Sequence, residues 1–204
     1  MMKISPVRDR VAAGAVFFLA GAIALMGIIS AEALYPGYST AENTISDLGA
    51  SVPPDIIVQP SATIFNATMI VTGLLIIAAS FFVHRAFGYL LVSIPLTLLG
   101  AGVLGVGIFP GNYGTVHAIF ALLAFLAGGI SAIAAYRVET VPFRYFSVIL
   151  GVITLFTLVS YFALGQSAPL APLGIGGVER WIVYPVLVWM LGFGGYLMSD
   201  SSGR

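Results

Sequence analysis

The sequence contains no cysteine among its 204 residues. Disulfide bonds, thiolate metal sites and cysteine nucleophiles are therefore all excluded. Charge is almost as scarce, because charged residues make up 8% of the chain, against roughly 25% in soluble globular domains. The formal net charge is zero. The chain thus lacks the excess of basic residues that nucleic-acid binding requires, and no nucleic-acid partner is expected.

Two long stretches, residues 86–136 and 145–178, contain no Asp, Glu, Lys or Arg at all. The surface of a soluble domain could not stay hydrated over such stretches. What the chain has in abundance is apolar surface, since 59% of its residues are hydrophobic. These features predict an integral membrane protein whose lipid neighbours are its first partners.

Six apolar segments are long enough to cross a bilayer, for which a helix needs about 20 residues. We expect an all-α bundle of six transmembrane helices that forms a single domain over residues 1–204. The first segment also resembles a signal peptide that ends at Ala31-Glu32-Ala33, but its apolar run exceeds the 7–15 residues of a signal-peptide core and favours a retained span. The predicted spans are residues 11–31, 61–83, 87–109, 113–136, 145–165 and 180–198.

The basic residues predict how the bundle is oriented. With six spans, seven of the eight basic residues fall on the same side, and such residues favour the cytoplasmic side. A multi-pass protein of the cell membrane with both termini in the cytoplasm is therefore expected. Arg180 is then the only cation at the outer face, which receives five acids: Glu32, Glu42, Asp47, Asp55 and Glu179.

The first outer loop, residues 34–60, is the longest connection between predicted spans. Loops of this length in compact proteins are usually functional or disordered. This one is rich in apolar residues, so we expect it to fold over the outer mouth of the bundle with Ile45 or Leu48 buried. Ala41 to Leu48 could form a short interfacial helix that Pro53-Pro54 would end.

Polar residues collect at the outer ends of the predicted spans, where polar side chains at membrane depth are costly and usually face the bundle interior. A carboxylate buried there must pair with a cation, bind a metal or be protonated. We therefore expect Arg180 to contact Asp47, Glu42 or Glu179, with His117 in the same cluster. The predicted ligand-binding residues are Ser46, Asp47, Asn66, His117, Glu179 and Arg180.

The same residues leave several kinds of site open. The cluster can be a structural polar network, or it can carry chemistry. Ser46, His117 and Asp47 supply the residue types of a hydrolytic triad, but Ser46 and Asp47 are adjacent and no nucleophile-elbow pattern surrounds the serine. In a reaction, Asp47 or Glu42 would be the base or a metal ligand, His117 the acid or a ligand, and Arg180 an anion clamp. The set of several histidines usual for zinc is absent, so no metal site is predicted, and no phosphate or dinucleotide motif identifies a cofactor.

Four elements of the chain occur together in an order that resembles a known family. They are Tyr38 to Ala50 (YSTAENTISDLGA), Phe109-Pro110 followed by His117, Gly176 to Arg180, and the six-span layout. Together they resemble the prokaryotic membrane family catalogued as domain of unknown function 998, over nearly the whole chain. The loop and the start of the second span are also similar to the eukaryotic Frag/DRAM/Sfk group, whose members are implicated in lipid-anchor processing and membrane trafficking. The resemblance implies the fold and the importance of the outer motifs, and it implies no reaction.

These observations favour a membrane protein with a polar pocket at its outer face that binds or processes a lipid or amphiphile from the outer leaflet. Two alternatives remain. The first is a non-catalytic structural or partner-binding protein. The second is a small-solute transporter, although transport usually needs an ionisable residue near the middle of the bilayer, and the second, third and fifth spans contain none.

Overall fold

A computed structural model describes residues 6–51 and 55–199 of the protein. Within these ranges the chain forms six long helices and, apart from one antiparallel bridge between Ser51 and Ile56, no β-structure. The prediction of an all-α fold is confirmed. The helices are α1 (Pro6–Ala33), α2 (Ser61–Phe87), α3 (Leu90–Ile108), α4 (Thr115–Ala134), α5 (Phe143–Leu164) and α6 (Gly174–Met198).

All six helices are long and apolar enough to cross a membrane, which confirms the predicted number of spans. Even α3, with 19 residues, extends about 28 Å at 1.5 Å per residue. The largest difference concerns α6, which begins at Gly174 rather than near residue 180. Glycines have low helix propensity, so the sequence favoured a loop there. Glu179 and Arg180 consequently lie more than one turn inside a helix instead of at its start.

The helices form a closed ring in which each packs against its neighbours in sequence and α6 returns to α1. The short connections after the second, third and fourth spans predicted the antiparallel pairing of α2 to α5, and the structure has it. An additional contact between α4 and α6 narrows the ring beside α5. As a result α5 is the most peripheral helix, with 22% of its most apolar window buried.

Glycines on α3 allow its backbone to approach both neighbouring helices. A Cβ atom on Gly102 would lie 2.6 Å from the backbone nitrogen of Ala124 in α4. A Cβ on Gly73 of α2 would lie 2.5 Å from the backbone nitrogen of Leu104 in α3. Small residues therefore form packing surfaces, as predicted for helices in lipid, and they place Gly73, Gly102 and Ala124 at a similar depth in the bundle.

The two ends of the bundle differ in what lies on them. We call the end with the loop of residues 34–60 the cap end, and the end where α1 begins and α6 ends the terminal end. Arg10 joins these two helices, because its Nη2 donates hydrogen bonds to the carbonyl oxygens of Tyr196 (3.1 Å) and Ser199 (2.8 Å). The described basic residues of the terminal end are Arg8, Arg10, Arg85, Arg137 and Arg144, and that of the cap end is Arg180. That the terminal end faces the cytoplasm stays a prediction, and Lys3 and Arg204 lie outside the described residues.

Two of the described acids at the terminal end are buried, Asp9 in α1 and Glu139 between α4 and α5. The pKa of the second is shifted by its burial. Glu139 Oε1 accepts a hydrogen bond from the Ser147 hydroxyl at 2.8 Å. Its backbone carbonyl accepts two hydrogen bonds from the Arg144 guanidinium, at 3.2 and 2.9 Å. Burial raises the pKa of Glu139 to about 7, and the hydrogen bond from Ser147 opposes this rise.

Candidate functional site

The first loop folds over the bundle as the sequence predicted, with Ile45 and Leu48 both buried. The expected interfacial helix is reduced to a single 3₁₀ turn, Ser46–Leu48. Thr44 and Asp47 hold this turn reciprocally: the Thr44 N–H donates to Asp47 Oδ2 at 2.8 Å, and the Asp47 N–H donates to Thr44 Oγ1 at 3.2 Å. This is the geometry of a capping box. Pro53-Pro54 lie outside the described residues.

Arg180 ties the loop to α1 and α6. Its Nη2 donates to Glu32 Oε1 at 2.6 Å and to the Tyr38 hydroxyl at 2.7 Å. Its Nη1 donates to three backbone carbonyl oxygens, those of Thr40 (2.9 Å), Asn43 (3.1 Å) and Gly176 (2.8 Å). The residue is only 8% exposed. One buried guanidinium therefore holds the end of α1, the loop and the start of α6 together.

The predicted partners of Arg180 were wrong, because its carboxylate partner is Glu32 rather than Asp47, Glu42 or Glu179. Asp47 is engaged in the capping box, and Glu42 is exposed. Glu32 lies in the last turn of α1, which packs beside α6. The sequence analysis counted Glu32 among the acids of this end. It interpreted the Ala31-Glu32-Ala33 motif as a possible signal-peptide cleavage site and did not predict that Glu32 pairs with Arg180.

Tyr38 is the second contact of Arg180 that the sequence did not indicate. Its ring lies under the guanidinium at 5.5 Å, and its hydroxyl donates to the Thr44 carbonyl at 2.7 Å. Burial raises the pKa of Tyr38, against the opposing effect of Arg180. The phenol therefore stays protonated, so that it donates to Thr44 while it accepts from Arg180.

The loop can approach α6 this closely because of a glycine. A Cβ atom on Gly176 would lie 2.1 Å from the Asn43 carbonyl oxygen, too close for any side chain. The Gly176 N–H donates to the Ala41 carbonyl at 2.9 Å. The Gly176 to Arg180 motif thus provides both the space and the cation that fix the loop.

Behind the loop lies a cavity of about 90 Å³ enclosed by α1, α2, α3, α4 and α6. Its walls are mostly aliphatic and aromatic, with Ile28, Phe65, Val106 and Met190 among them. The sequence predicted a polar pocket, whereas this cavity is polar mainly at its cap end. The polar residues that line it are Ser46, His117 and Glu179 at the cap end and Thr72 deeper in α2.

His117 presents an unpaired nitrogen at this cavity. Its Nδ1 lies 2.8 Å from the Phe109 carbonyl oxygen. A carbonyl only accepts, so Nδ1 carries a proton, and in the tautomer with a single ring proton Nε2 carries the lone pair. Nε2 is buried and has no hydrogen-bond partner among the described residues. The residue as a whole is 8% exposed.

Glu179 and Ser46 flank the same end of the cavity. Glu179 Oε2 accepts a hydrogen bond from the Ile45 N–H at 2.5 Å, which joins the loop to α6 at a second point. The Ser46 hydroxyl lies 3.1 Å from that of Thr44. Both residues therefore contribute to the fold of the cap as well as to the cavity wall.

The remaining predicted site residues lie outside the cavity wall. The Asn66 side chain abuts the loop, because a Cβ on Gly49 would lie 2.4 Å from Asn66 Oδ1. Asp47 and Arg180 hold the loop itself, and Glu42 is on its exposed side. The structure thus brings three of the six predicted ligand-binding residues to the cavity and places the other three around the cap.

The geometry of the described residues supports neither a hydrolytic triad nor a metal centre. A hydrolytic triad needs a carboxylate on His117 Nδ1, but that nitrogen bonds the Phe109 carbonyl and the Asp47 carboxylate bonds Thr44. In the part of the chain that the structure describes, no three His, Asp or Glu side chains come together as metal ligands would. What the site offers is a hydrogen-bond acceptor at one end of an apolar cavity.

A comparison of the sequence with known protein families found one family that covers most of the chain. Residues 18–196 match the family model described as Protein of unknown function (DUF998). No curated protein and no solved structure matches the chain, and the similarity to the Frag/DRAM/Sfk group stays a prediction. The matched segment contains the loop and His117, and it extends from within α1 into the last turn of α6. The chain is therefore a polytopic membrane protein that belongs to the DUF998 family.

Proposed function

We propose that the protein binds one amphiphile in the cavity, with its polar head at the cap end and its tail among the apolar walls. The observation that carries this proposal is the unpaired, buried Nε2 of His117 at the cap end of a mostly apolar cavity. A buried polar atom without a partner costs about 1–3 kcal/mol. A bound head group that donates a hydrogen bond would recover this free energy.

The residues around the head favour a particular chemistry. His117 Nε2 and the Glu179 carboxyl oxygens can both accept hydrogen bonds, and the described lining residues include no cation. Arg180 is outside the wall and already donates to five oxygen atoms, so the anion clamp expected from the sequence is not supported. The head is therefore an alcohol or an amine that donates hydrogen bonds, rather than a phosphate or a carboxylate.

The tail contributes less to selection than the head. The cavity of about 90 Å³ has mostly apolar walls, and apolar cavities stay dry, so part of an alkyl chain suits it better than water. A chain that leaves the bilayer for this cavity exchanges one apolar environment for another, because lipid tails are as apolar as leucine. The hydrogen bonds of the head must then provide the specificity.

The cavity offers less support for transport. Beyond Thr72 toward the terminal end, the lining residues are apolar, with Ile76, Leu99 and Met190 at that depth. A polar solute would have no hydrogen-bonding groups to follow among them. Binding of an amphiphile is thus the function that the described cavity supports best.

The proposal is tested with purified protein in lipid nanodiscs and four probes of equal chain length: hexadecanol, hexadecylamine, hexadecanoate and hexadecyl phosphate. The alcohol and the amine should bind and raise the melting temperature, because a ligand of the folded state stabilises it. The two anions should not. Equal binding of all four probes, or of none, would overturn the proposal.

A matched pair of variants localises the head group. His117→Asn keeps an amide donor for the Phe109 carbonyl and lacks Nε2, so affinity for the alcohol should fall about tenfold. His84→Asn is the control, because the exposed His84 lies at the terminal end and contacts Ser93. If both variants bind the alcohol like the wild type, His117 has no part in recognition.

A further inference from the structure

A second unpaired polar atom lies deeper in the same cavity, at Thr72 of α2. A helical threonine can satisfy its hydroxyl by donating to the carbonyl four residues earlier, here that of Thr68. Thr72 Oγ1 instead has no hydrogen-bond partner among the described residues. The residue is 1% exposed, and apolar residues surround it along the cavity wall.

The packing of α2, α3 and α4 gives the depth of this hydroxyl. Gly73 packs on α3 between Gly100 and Leu104, and Gly102 packs on Ala124 of α4. Thr72 is therefore about level with Ala124, seven residues beyond His117 along α4. At 1.5 Å per residue the separation along the bundle axis is about 10 Å.

We infer that the ligand carries a second polar group, an oxygen in its chain about 10 Å from the head, and that Thr72 recognises it. This inference rests on the proposed function. A threonine hydroxyl both donates and accepts, so the chain oxygen is a hydroxyl or a keto group. The ligand class is then a chain-oxygenated amphiphile rather than a plain long-chain alcohol or amine.

Because apolar residues surround Thr72, a single hydrogen bond to its hydroxyl can determine which ligand the cavity prefers. Such a bond is stronger in a region of low dielectric than in water, and an unpaired polar group there is correspondingly costly. A plain chain would leave Thr72 Oγ1 unpaired, and sites with buried polar groups reject analogues that lack the matching group. A ligand with the oxygen at the right depth satisfies both partners at once.

The chain offers a matched control for Thr72. Thr157 on α5 is also 1% exposed, and its Oγ1 is likewise without a partner among the described residues. It does not line the cavity. A Thr→Val substitution at either position removes one buried hydroxyl with little change of shape, but only the one at position 72 should affect the ligand.

The experiment measures nanodisc binding of four hexadecanol probes: plain, with a second hydroxyl about 10 Å from the first, with a keto group at that carbon, and with the second hydroxyl at the far end. The wild type should bind at least one of the two mid-chain probes about tenfold more tightly than the plain alcohol, a difference of about 1.4 kcal/mol. Thr72→Val should abolish this preference, because a plain chain then no longer leaves a buried hydroxyl unpaired. Thr72→Ser and Thr157→Val should keep the preference.

The outcomes separate this inference from the proposed function. If all four probes bind equally to the wild type, the role of Thr72 is refuted and the amphiphile site remains. If the mid-chain preference persists in Thr72→Val, the oxygen is recognised elsewhere and the inference is again refuted. If no probe binds, the proposed function itself fails.

Discussion

The cap end and the terminal end of the bundle use their charges in opposite ways. At the cap end the described residues include one cation, Arg180, and it is buried with five hydrogen bonds that join three parts of the chain. The terminal end has five described cations. The hydrogen bonds and ion pairs that the structure gives for them join at most two segments of the chain each, whereas those of Arg180 join three. Arg85, for example, pairs with Asp9 at 3.1 Å while more than a third of its side chain stays exposed.

The difference indicates where the protein tolerates change. Asp9 in the pair with Arg85 is buried, but an ion pair with an exposed partner contributes less, because water still solvates the exposed charge. A buried charge that loses its partner has no solvent to replace it. The cap end therefore concentrates stability in a few residues beside the cavity, whereas the terminal end distributes it. Each of the following predictions sets a change at one end against a matched change elsewhere.

The largest effect is expected for Arg180→Ala. It leaves Glu32 and several loop carbonyls without their donor, at a cost on the order of 3–5 kcal/mol. Arg180→Lys should recover only part of this, because an ammonium cannot reproduce the geometry of the guanidinium fork. Thermal unfolding in detergent measures both variants. Arg137→Ala removes an exposed cation at the terminal end and should change stability by less than about 0.5 kcal/mol.

Similar losses of stability for Arg180→Ala and Arg137→Ala would remove the contrast between the two ends. The same result would mean that the five hydrogen bonds of Arg180 are replaceable by solvent.

A smaller effect, which depends on pH, is expected from Glu139 at the terminal end. Because its pKa is raised from 4.5 to about 7, the folded protein retains a proton that the unfolded chain releases as pH rises between these values. Stability should therefore fall by about 3 kcal/mol across this window and stay lower above it. Glu139→Gln should remove this contribution and melt higher than the wild type at pH 8. Melting temperatures at pH 5 and pH 8 provide the measurement.

The control for Glu139 is Asp55→Asn, because Asp55 is an exposed acid near the cap end. It should leave the pH dependence of melting as it is in the wild type. If Glu139→Gln also leaves it unchanged, the Glu139 carboxyl is hydrated in the folded protein and its pKa is not raised.

Gly176→Ala should have an intermediate effect through sterics alone. The new methyl group would meet the Asn43 carbonyl oxygen at 2.1 Å, so the loop must shift, at about 1–3 kcal/mol. Gly195→Ala in the last turns of the same helix meets nothing within 4 Å and should be neutral or stabilising, since alanine favours helix over glycine. Thermal unfolding and protease sensitivity of the loop compare the two. Equal stability of both variants would show that the loop does not pack on Gly176.

The smallest effect on stability is expected from a test of orientation. The chain has no cysteine, so single cysteines at the exposed positions Glu42 and Ser199 report their side without background. An impermeant thiol reagent applied to intact cells should label Glu42→Cys and not Ser199→Cys, because the basic terminal end is predicted to face the cytoplasm. The reverse pattern would invert the bundle, and labelling of both from outside would contradict six spans.

The spans were predictable because lipid imposes a strong constraint on each of them separately. A segment that crosses a bilayer must be apolar over about 20 residues, and that property is visible in the local sequence. The start of α6 was missed for a related reason. Gly174 and Gly176 disfavour a helix locally, and only the contact of Gly176 with the loop explains why the helix begins there.

The candidate site was only partly predictable, because its partners are distant in sequence. Counting charges made Arg180 the expected partner of an acid at its end of the bundle, where five acids were available. The choice of Glu32, 148 residues away, follows from the packing of α1 against α6, which no local pattern specifies. Tyr38 was missed since a tyrosine near the membrane surface is typical of an interfacial belt.

The sequence by itself determined a six-span membrane protein, a loop with buried apolar residues, and a cluster of polar residues with a single cation among them. These features follow from composition and from the pattern of apolar and polar residues, both of which can be read from the local sequence. Only the tertiary structure decided that Arg180 binds Glu32, that Asp47 caps its own turn, and that His117 and Thr72 present unpaired atoms to one cavity. The physical reason is that hydrogen bonds act over about 3 Å, so their partners are fixed by the packing of helices that the chain connects only through long segments.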